Sequence, residues 1–160
     1  MRVRTFLSAF FLTCFVAAPA AGSDEAYGGI RLLEGYKYRK GYTVDALIGS
    51  ISKEGGLLIE FEAGLSQGYA ADPKDKGKYL WYREQAVNGR KVMLALIKPG
   101  LKTVWEPEKP RSRELGNILL ITFPLDGQPD HAVNFRAEVL NAQEVADVLL
   151  MVLTFDASKS

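Results

Sequence analysis

The chain has 160 residues with 20 basic and 19 acidic side chains, a formal charge of +1. This balance gives no electrostatic preference for nucleic acid or for an anionic membrane surface. The length fits a single domain of ordinary size, and Cys14, the single cysteine, excludes an internal disulfide framework.

Residues 1–22 predict a cleaved secretory signal peptide. Arg2 and Arg4 form a short basic start, residues 6–16 are almost continuously apolar, and small residues from Ala18 to Gly22 suit a cleavage site. The apolar run is shorter than the about 20 residues that span a bilayer. We therefore expect an exported protein, periplasmic or secreted, with no transmembrane segment in the mature chain.

Cleavage also removes Cys14, Arg2 and Arg4, which leaves a cysteine-free mature chain with 18 basic and 19 acidic residues. The lack of cysteine and of an Asn-x-Ser/Thr acceptor favours a bacterial protein over a eukaryotic secreted one. Two alternatives for the leader are an uncleaved anchor, which Pro19 disfavours, and a lipoprotein signal. The large apolar residues on both sides of Cys14 disfavour the latter.

Residues 23–45 predict an extended N-terminal arm with room for one short strand. Glycines and tyrosines are interspersed there without regular periodicity, and Lys37, Arg39 and Lys40 lie between the tyrosines. Such a segment either binds an acidic or aromatic partner or packs its tyrosines across the end of a sheet, and the second interpretation is favoured.

Residues 46–160 predict a single α+β domain made of antiparallel β-hairpins with a C-terminal helix packed on one face. The first hairpin joins strand-like runs at 46–53 and 57–63 through a Glu-Gly-Gly turn. In the second run apolar residues alternate with Glu60 and Glu62, so one face is expected to be buried and the other solvated.

The dipeptide Asn88-Gly89 predicts a second hairpin with a type I′ turn between Tyr79–Val87 and Arg90–Ile97. The register expected from this turn places three pairs of residues opposite each other: Gln85 and Val92, Arg83 and Leu94, Trp81 and Leu96. Residues 92–97 are all apolar, and 118–123 almost so, which predicts strands covered on both faces near the middle of a sheet.

Three further segments complete the prediction. Residues 98–116 contain three prolines and predict a surface excursion or a strand edge around Thr103 to Trp105, whereas 132–140 alternates like a strand. Asn141 and Glu144 have the spacing of a helix N-cap and its reciprocal partner, and the apolar residues that follow have helical periodicity. The alternative is that residues 149–155 form a final strand and the helix ends before them.

The sequence offers little catalytic chemistry. His131 is the single histidine, and a mature chain without thiolates has too few ligands for a typical zinc site. The segment Asp72–Gly77 begins like a calcium loop, but lysines stand at its third and fifth positions, and no phosphate-binding glycine loop is present. We therefore expect no cofactor, no metal and no catalytic residues.

The strongest candidate for binding is the predicted strand over residues 79–87. Strand alternation assigns Tyr79, Trp81, Arg83 and Gln85 to one face, which combines flat aromatic surface with a guanidinium and an amide. This combination suits stacking on a peptide or a sugar, but packing of Trp81 in the core or at its rim is the favoured interpretation.

The leading hypothesis is thus a non-enzymatic exported binding module for an envelope or extracellular polypeptide or glycan. We expect its partner to contact the Trp81 face or the neighbouring tyrosine arm, with no dependence on His131. Two alternatives remain open: a carrier of an apolar ligand held between sheet and helix, and a small hydrolase. The hydrolase would use carboxylates such as Glu60, Glu62, Asp72 and Asp75.

Overall fold

The computed structural model describes residues 26–42, 46–64, 68–98, 116–125 and 131–159. These form an α+β fold in which a C-terminal helix packs on one face of a seven-stranded antiparallel sheet, as predicted. The elements are β1 (Tyr36–Tyr42), β2 (Ala46–Lys53), β3 (Leu58–Gly64), β4 (Trp81–Val87), β5 (Arg90–Ile97), β6 (Asn117–Pro124), β7 (Ala132–Val139) and α1 (Ala142–Val152). Their order across the sheet is β1-β2-β3-β7-β6-β5-β4, so β1 and β4 form its two edges.

Both predicted hairpins are confirmed. Between β2 and β3 the Gly56 amide donates to the Lys53 carbonyl at 3.0 Å, and Gly55 has a φ of 65°. Between β4 and β5, Asn88 and Gly89 have φ values of 52° and 77°, the positive values that a type I′ turn requires at both central positions. The expected register of β4 against β5 holds for all three predicted pairs.

Strand β4 begins at Trp81, two residues later than predicted. The preceding residues Pro73–Lys78 form a 3-10 helix instead of continuing the strand. Its start is fixed by Asp72, whose side chain accepts a hydrogen bond from the Lys74 amide at 2.8 Å, and Pro73 provides a preset φ at the first helical position.

The central strands are buried on both faces because the sheet lies between two layers. On the helix side, the largest fully buried side chains of the strands pack with Leu57 and with Met151 of α1; they are Ile51, Ile59, Phe61, Val92, Leu94, Leu119, Ile121, Val133 and Phe135. On the second face, a smaller cluster contains Ala71, Met93, Ala95, Ile97, Ile118 and Leu120. Two-sided burial explains the continuous apolar runs of β5 and β6.

Helix α1 has the predicted N-cap at Asn141. Its reciprocal partner Glu144 bonds the amide of Leu140, whereas a capping box uses the amide of the N-cap residue itself. The Asn141 side chain accepts a hydrogen bond from the Glu144 amide at 3.0 Å, and the Glu144 carboxylate accepts one from the Leu140 amide at 2.8 Å. The helix continues to Val152, so the alternative of a strand beginning at residue 149 is wrong.

Residues 26–42 pack against the rest of the domain instead of extending away from it. Ala26 and Ile30 are buried in the main core, the Asp156 amide donates to the Gly28 carbonyl at 2.8 Å, and the Arg31 amide donates to the Thr154 hydroxyl at 2.9 Å. The chain ahead of β1 is therefore joined to the chain after α1.

The predicted leader at 1–22 and nearly all of the predicted excursion at 98–116 lie outside the described residues. Within the described ranges, no helix is both long enough and apolar enough to cross a membrane.

Candidate functional site

Three of the four predicted binding residues lie together at the sheet edge formed by β4. Trp81, Arg83 and Gln85 are paired with residues of β5 whose side chains face the helix side, so all three lie on that face. Trp81 keeps 43% of its surface exposed, and Arg83 is exposed as well. They are accessible because β4 has a strand neighbour on one side only within the described part of the chain.

Tyr79 lies on the opposite face of the sheet. Its ring stacks on that of Tyr82, with 5.7 Å between the ring centroids, and its hydroxyl donates to the Asp72 carbonyl at 3.1 Å. This burial raises the pKa of the Tyr79 hydroxyl. Tyr79 therefore belongs to the segment of residues 68–80 that covers the second face, which we call the strap.

Two buried polar side chains anchor the start of the strap. The Ala71 amide donates to the Thr122 hydroxyl at 3.0 Å, and the Ala70 amide donates to the Asn134 side-chain oxygen at 3.0 Å. The Asn134 amide group donates in turn to the Gly68 carbonyl at 3.0 Å. Because buried polar groups need such partners, these bonds explain why β6 and β7 carry polar residues in a covered layer.

An ionic cluster holds the other end of the strap to β4. Glu84 accepts a hydrogen bond from the Tyr82 hydroxyl at 2.9 Å, and its carboxylate lies 3.2 Å from the Lys76 ammonium and 2.7 Å from that of Lys91. Hydrogen bonds from Lys91, Tyr82 and Lys76 lower the pKa of Glu84 to about 2. The cluster links Lys76 of the strap to two neighbouring strands.

The glutamates considered for catalysis lie far from the Trp81 face. Glu60 and Glu62 lie on the second face of β3, opposite Arg136 and Asn134 of β7, whereas Trp81 lies on the helix-side face of β4, four strands away. Burial raises the pKa of Glu62. The two candidate sets therefore cannot line one surface.

The remaining acidic candidates have local structural partners. Asp72 caps the 3-10 helix of the strap through the Lys74 amide, and Asp75 forms an ion pair with Lys78 at 2.7 Å. In the portions of the chain that are described, no group of three or more histidine, cysteine, aspartate or glutamate side chains is arranged to hold a metal ion. Asp72 and Asp75 thus have structural partners within the strap.

His131 has a backbone role just before β7, where its carbonyl accepts a hydrogen bond from the Leu125 amide at 3.0 Å. The bond joins the chain leaving β6 to the chain entering β7. It needs no imidazole.

Aromatic rings fill the layer in which an apolar ligand was considered. Phe155, which follows α1, lies 4.9 Å from Phe123 and 5.6 Å from Phe135 between ring centroids. Phe61 stacks on Tyr27 at 5.2 Å. These contacts favour a packed core between the sheet and the helix over a ligand cavity.

The tyrosine arm is not a neighbour of the Trp81 face, contrary to our expectation. Its strand β1 forms the opposite edge of the sheet from β4. Strand and turn patterns do not predict the strap or its anchors. The one signal is Thr122, the single polar residue of the run 118–123, because a polar residue in a buried strand needs a hydrogen-bond partner.

Comparisons of the chain with protein-family models, with curated proteins and with solved structures found no match. Inference about function therefore rests on the geometry of the described residues.

Proposed function

We propose that this protein is an exported, non-enzymatic binding module that captures an extended polypeptide at the β4 edge of its sheet. The observation that carries the proposal is the position of Trp81 and Arg83. Both are exposed on a strand that has one described strand neighbour, so recognition surface and an open backbone edge occur together.

An edge strand favours a polypeptide over a glycan as the partner. An added strand gains affinity from main-chain hydrogen bonds and specificity from alternate side chains. Side chains of a strand placed beside β4 would lie about 5 Å from those of Trp81, Arg83 and Gln85. A glycan stacked on Trp81 would leave the backbone edge unused.

The charges of β4 permit this addition. Edge strands often carry like charges that repel incoming chains, but in β4 the charges of Arg83 and Glu84 cancel. Glu84 is moreover held by Lys76 and Lys91, which leaves Arg83 as the donor that a partner can meet.

The test is selection of binding peptides by display on the mature protein, with a glycan panel in parallel. We expect Arg83→Ala to weaken the selected peptides by about tenfold, the scale of a binding hot spot, with Trp81→Phe less harmful. His131→Ala is the control and should bind like the wild type. Each variant is first checked for an unchanged melting temperature.

Two outcomes would contradict the proposal. If glycans bind and no peptide does, the partner is a glycan and not a polypeptide. If only His131→Ala loses binding, the binding-module proposal is wrong and a catalytic role of His131 has to be tested. Adding a selected peptide to the wild type should change amide chemical shifts mainly in β4. In Trp81→Phe, shift changes spread through the core without peptide would indicate core damage, not loss of a contact.

Export is tested separately by expression in a bacterial host with residues 1–22 intact. We expect the intact mass of a shortened chain that starts between Ala21 and Ser23. A mature mass that retains Arg2 to Cys14 would contradict the proposal of a cleaved signal.

A further inference from the structure

The second edge of the sheet has a different chemical character from β4. All seven residues of β1 are paired with β2, from Tyr36 opposite Lys53 to Tyr42 opposite Leu47. No strand lies on the other side of β1 within the described residues. A seven-residue edge without proline is long enough to pair with another strand.

All charged residues of β1 itself are basic. Lys37, Arg39 and Lys40 are all exposed, and β1 and β2 contain no aspartate or glutamate. Among the described residues, no ion pair involves any of these three cations. Lys40 instead lies over the ring of exposed Tyr42, 5.1 Å from its centroid.

The basic edge disfavours pairing with the β1 strand of a second copy of the chain. Antiparallel pairing of two β1 strands about Arg39 would place Arg39 opposite Arg39. The three cations of each copy would then lie close together along one pair of seven-residue strands. Like charges directly opposite each other are destabilising, and lysines on edge strands commonly prevent such association.

The positions of the cations specify what can bind instead. Lys37 and Arg39 are two residues apart and therefore share the second face of the sheet, about 7 Å from each other along the strand. Acidic residues at alternate positions of an added strand have the same spacing. We propose that the β1 edge is a second binding site, which takes an extended polypeptide with acidic residues at alternate positions as an eighth strand.

This site is independent of the proposed function at β4, because the two edges are separated by the full width of the sheet. The probe is a nine-residue peptide in which glutamate alternates with threonine. Two matched peptides serve as controls, one with glutamine in place of glutamate and one with the same residues in blocks. A short inorganic polyphosphate tests charge alone.

We expect the alternating glutamate peptide to bind, and raising the salt from about 0.05 to about 0.5 M to weaken it. The double variant Lys37→Gln, Arg39→Gln should lose about fivefold in affinity, in line with two exposed ion pairs. The double variant Lys74→Gln, Lys98→Gln removes the same charge from other exposed positions and should bind like the wild type, as should Arg83→Ala.

Strand addition also predicts slower hydrogen exchange of β1 amides in the presence of the peptide, which attraction between charges alone does not produce. Equal losses in both double variants, equal binding of the block peptide or of polyphosphate, or unchanged exchange in β1 would each overturn the proposal. A failure of this kind leaves the β4 proposal standing, because Arg83→Ala reports on that edge separately.

Discussion

Replacing Gly28 by alanine tests how the N-terminal segment joins the core. Gly28 has a φ of 63°, and a Cβ at this position would overlap the ring of Phe155. Phe155 is 3% exposed, and its ring centroid lies 4.9 Å from that of Phe123. The ring therefore cannot move away from a new methyl group without displacing its neighbours. We expect Gly28→Ala to lower the free energy of unfolding by about 1–2 kcal/mol because of the left-handed backbone. Overpacking against Phe155 should lower it further, by about 1–3 kcal/mol.

Gly55→Ala is the matched control. Gly55 has a φ of 65°, yet nothing lies within 4 Å of a Cβ built there, so this variant carries the backbone cost alone. Urea unfolding should therefore place Gly28→Ala about 1–3 kcal/mol below Gly55→Ala in free energy of unfolding. Adding Phe155→Leu should recover part of the loss and give a non-additive double-mutant cycle. Equal stabilities of the two alanine variants would refute the packing of Gly28 against Phe155.

Three further outcomes follow from the β4 edge and the strap. Gly89→Val should lower the free energy of unfolding by about 1–3 kcal/mol because the turn requires a positive φ, whereas Lys91→Val should cost less, and equal melting temperatures would exclude the type I′ turn. Thr122→Val leaves the Ala71 amide without its acceptor and should cost about 1–3 kcal/mol, with faster hydrogen exchange in the strap; unchanged exchange would contradict this anchor. The pKa of Glu84 is lowered from 4.5 to about 2 in the folded protein, so its stabilisation is present above about pH 4.5 and is lost as the pH falls towards 2. The difference in melting temperature between wild type and Glu84→Gln should close over that range, and a constant difference would refute the linkage.

The hairpins and the helix were predictable because each depends on residues close together in the chain. Asn88 and Gly89 fix the turn conformation, and a two-residue turn leaves one register for the flanking strands. Asn141 likewise fixes the start of α1 through a bond that spans three residues. Local chemistry of this kind is visible in one sequence.

The strand order was not predictable, because it depends on contacts between distant segments. The pairing of Ile59 with Ala137 joins two hairpin systems across the middle of the sheet, and nothing local to either residue specifies the other. This order makes β1 and β4 the edges. It is also the reason that the tyrosine arm and the Trp81 face are separated.

The error at Tyr79 has a specific physical cause. Alternation assigns Tyr79 to the face of Trp81 only if the strand already includes both residues. The 3-10 helix ends just before Tyr79, whose ring is then held against Tyr82 on the second face. Strand alternation therefore placed Trp81, Arg83 and Gln85 on one shared face correctly and Tyr79 on the wrong one.

The strap also determines which face of β4 a partner can meet. Tyr82 and Glu84 on the second face are engaged with Tyr79 and Lys76 of the strap, whereas Trp81 and its neighbours on the helix side remain exposed. At β1, Tyr36 is buried on the helix side, so exposed residues of that side are confined to the far end of the strand at Lys40 and Tyr42. Lys37 and Arg39 of the second face are exposed. Under the two proposals, a strand added at β4 would be recognised through Trp81 and Arg83 of the helix side, and a strand added at β1 through Lys37 and Arg39 of the second face.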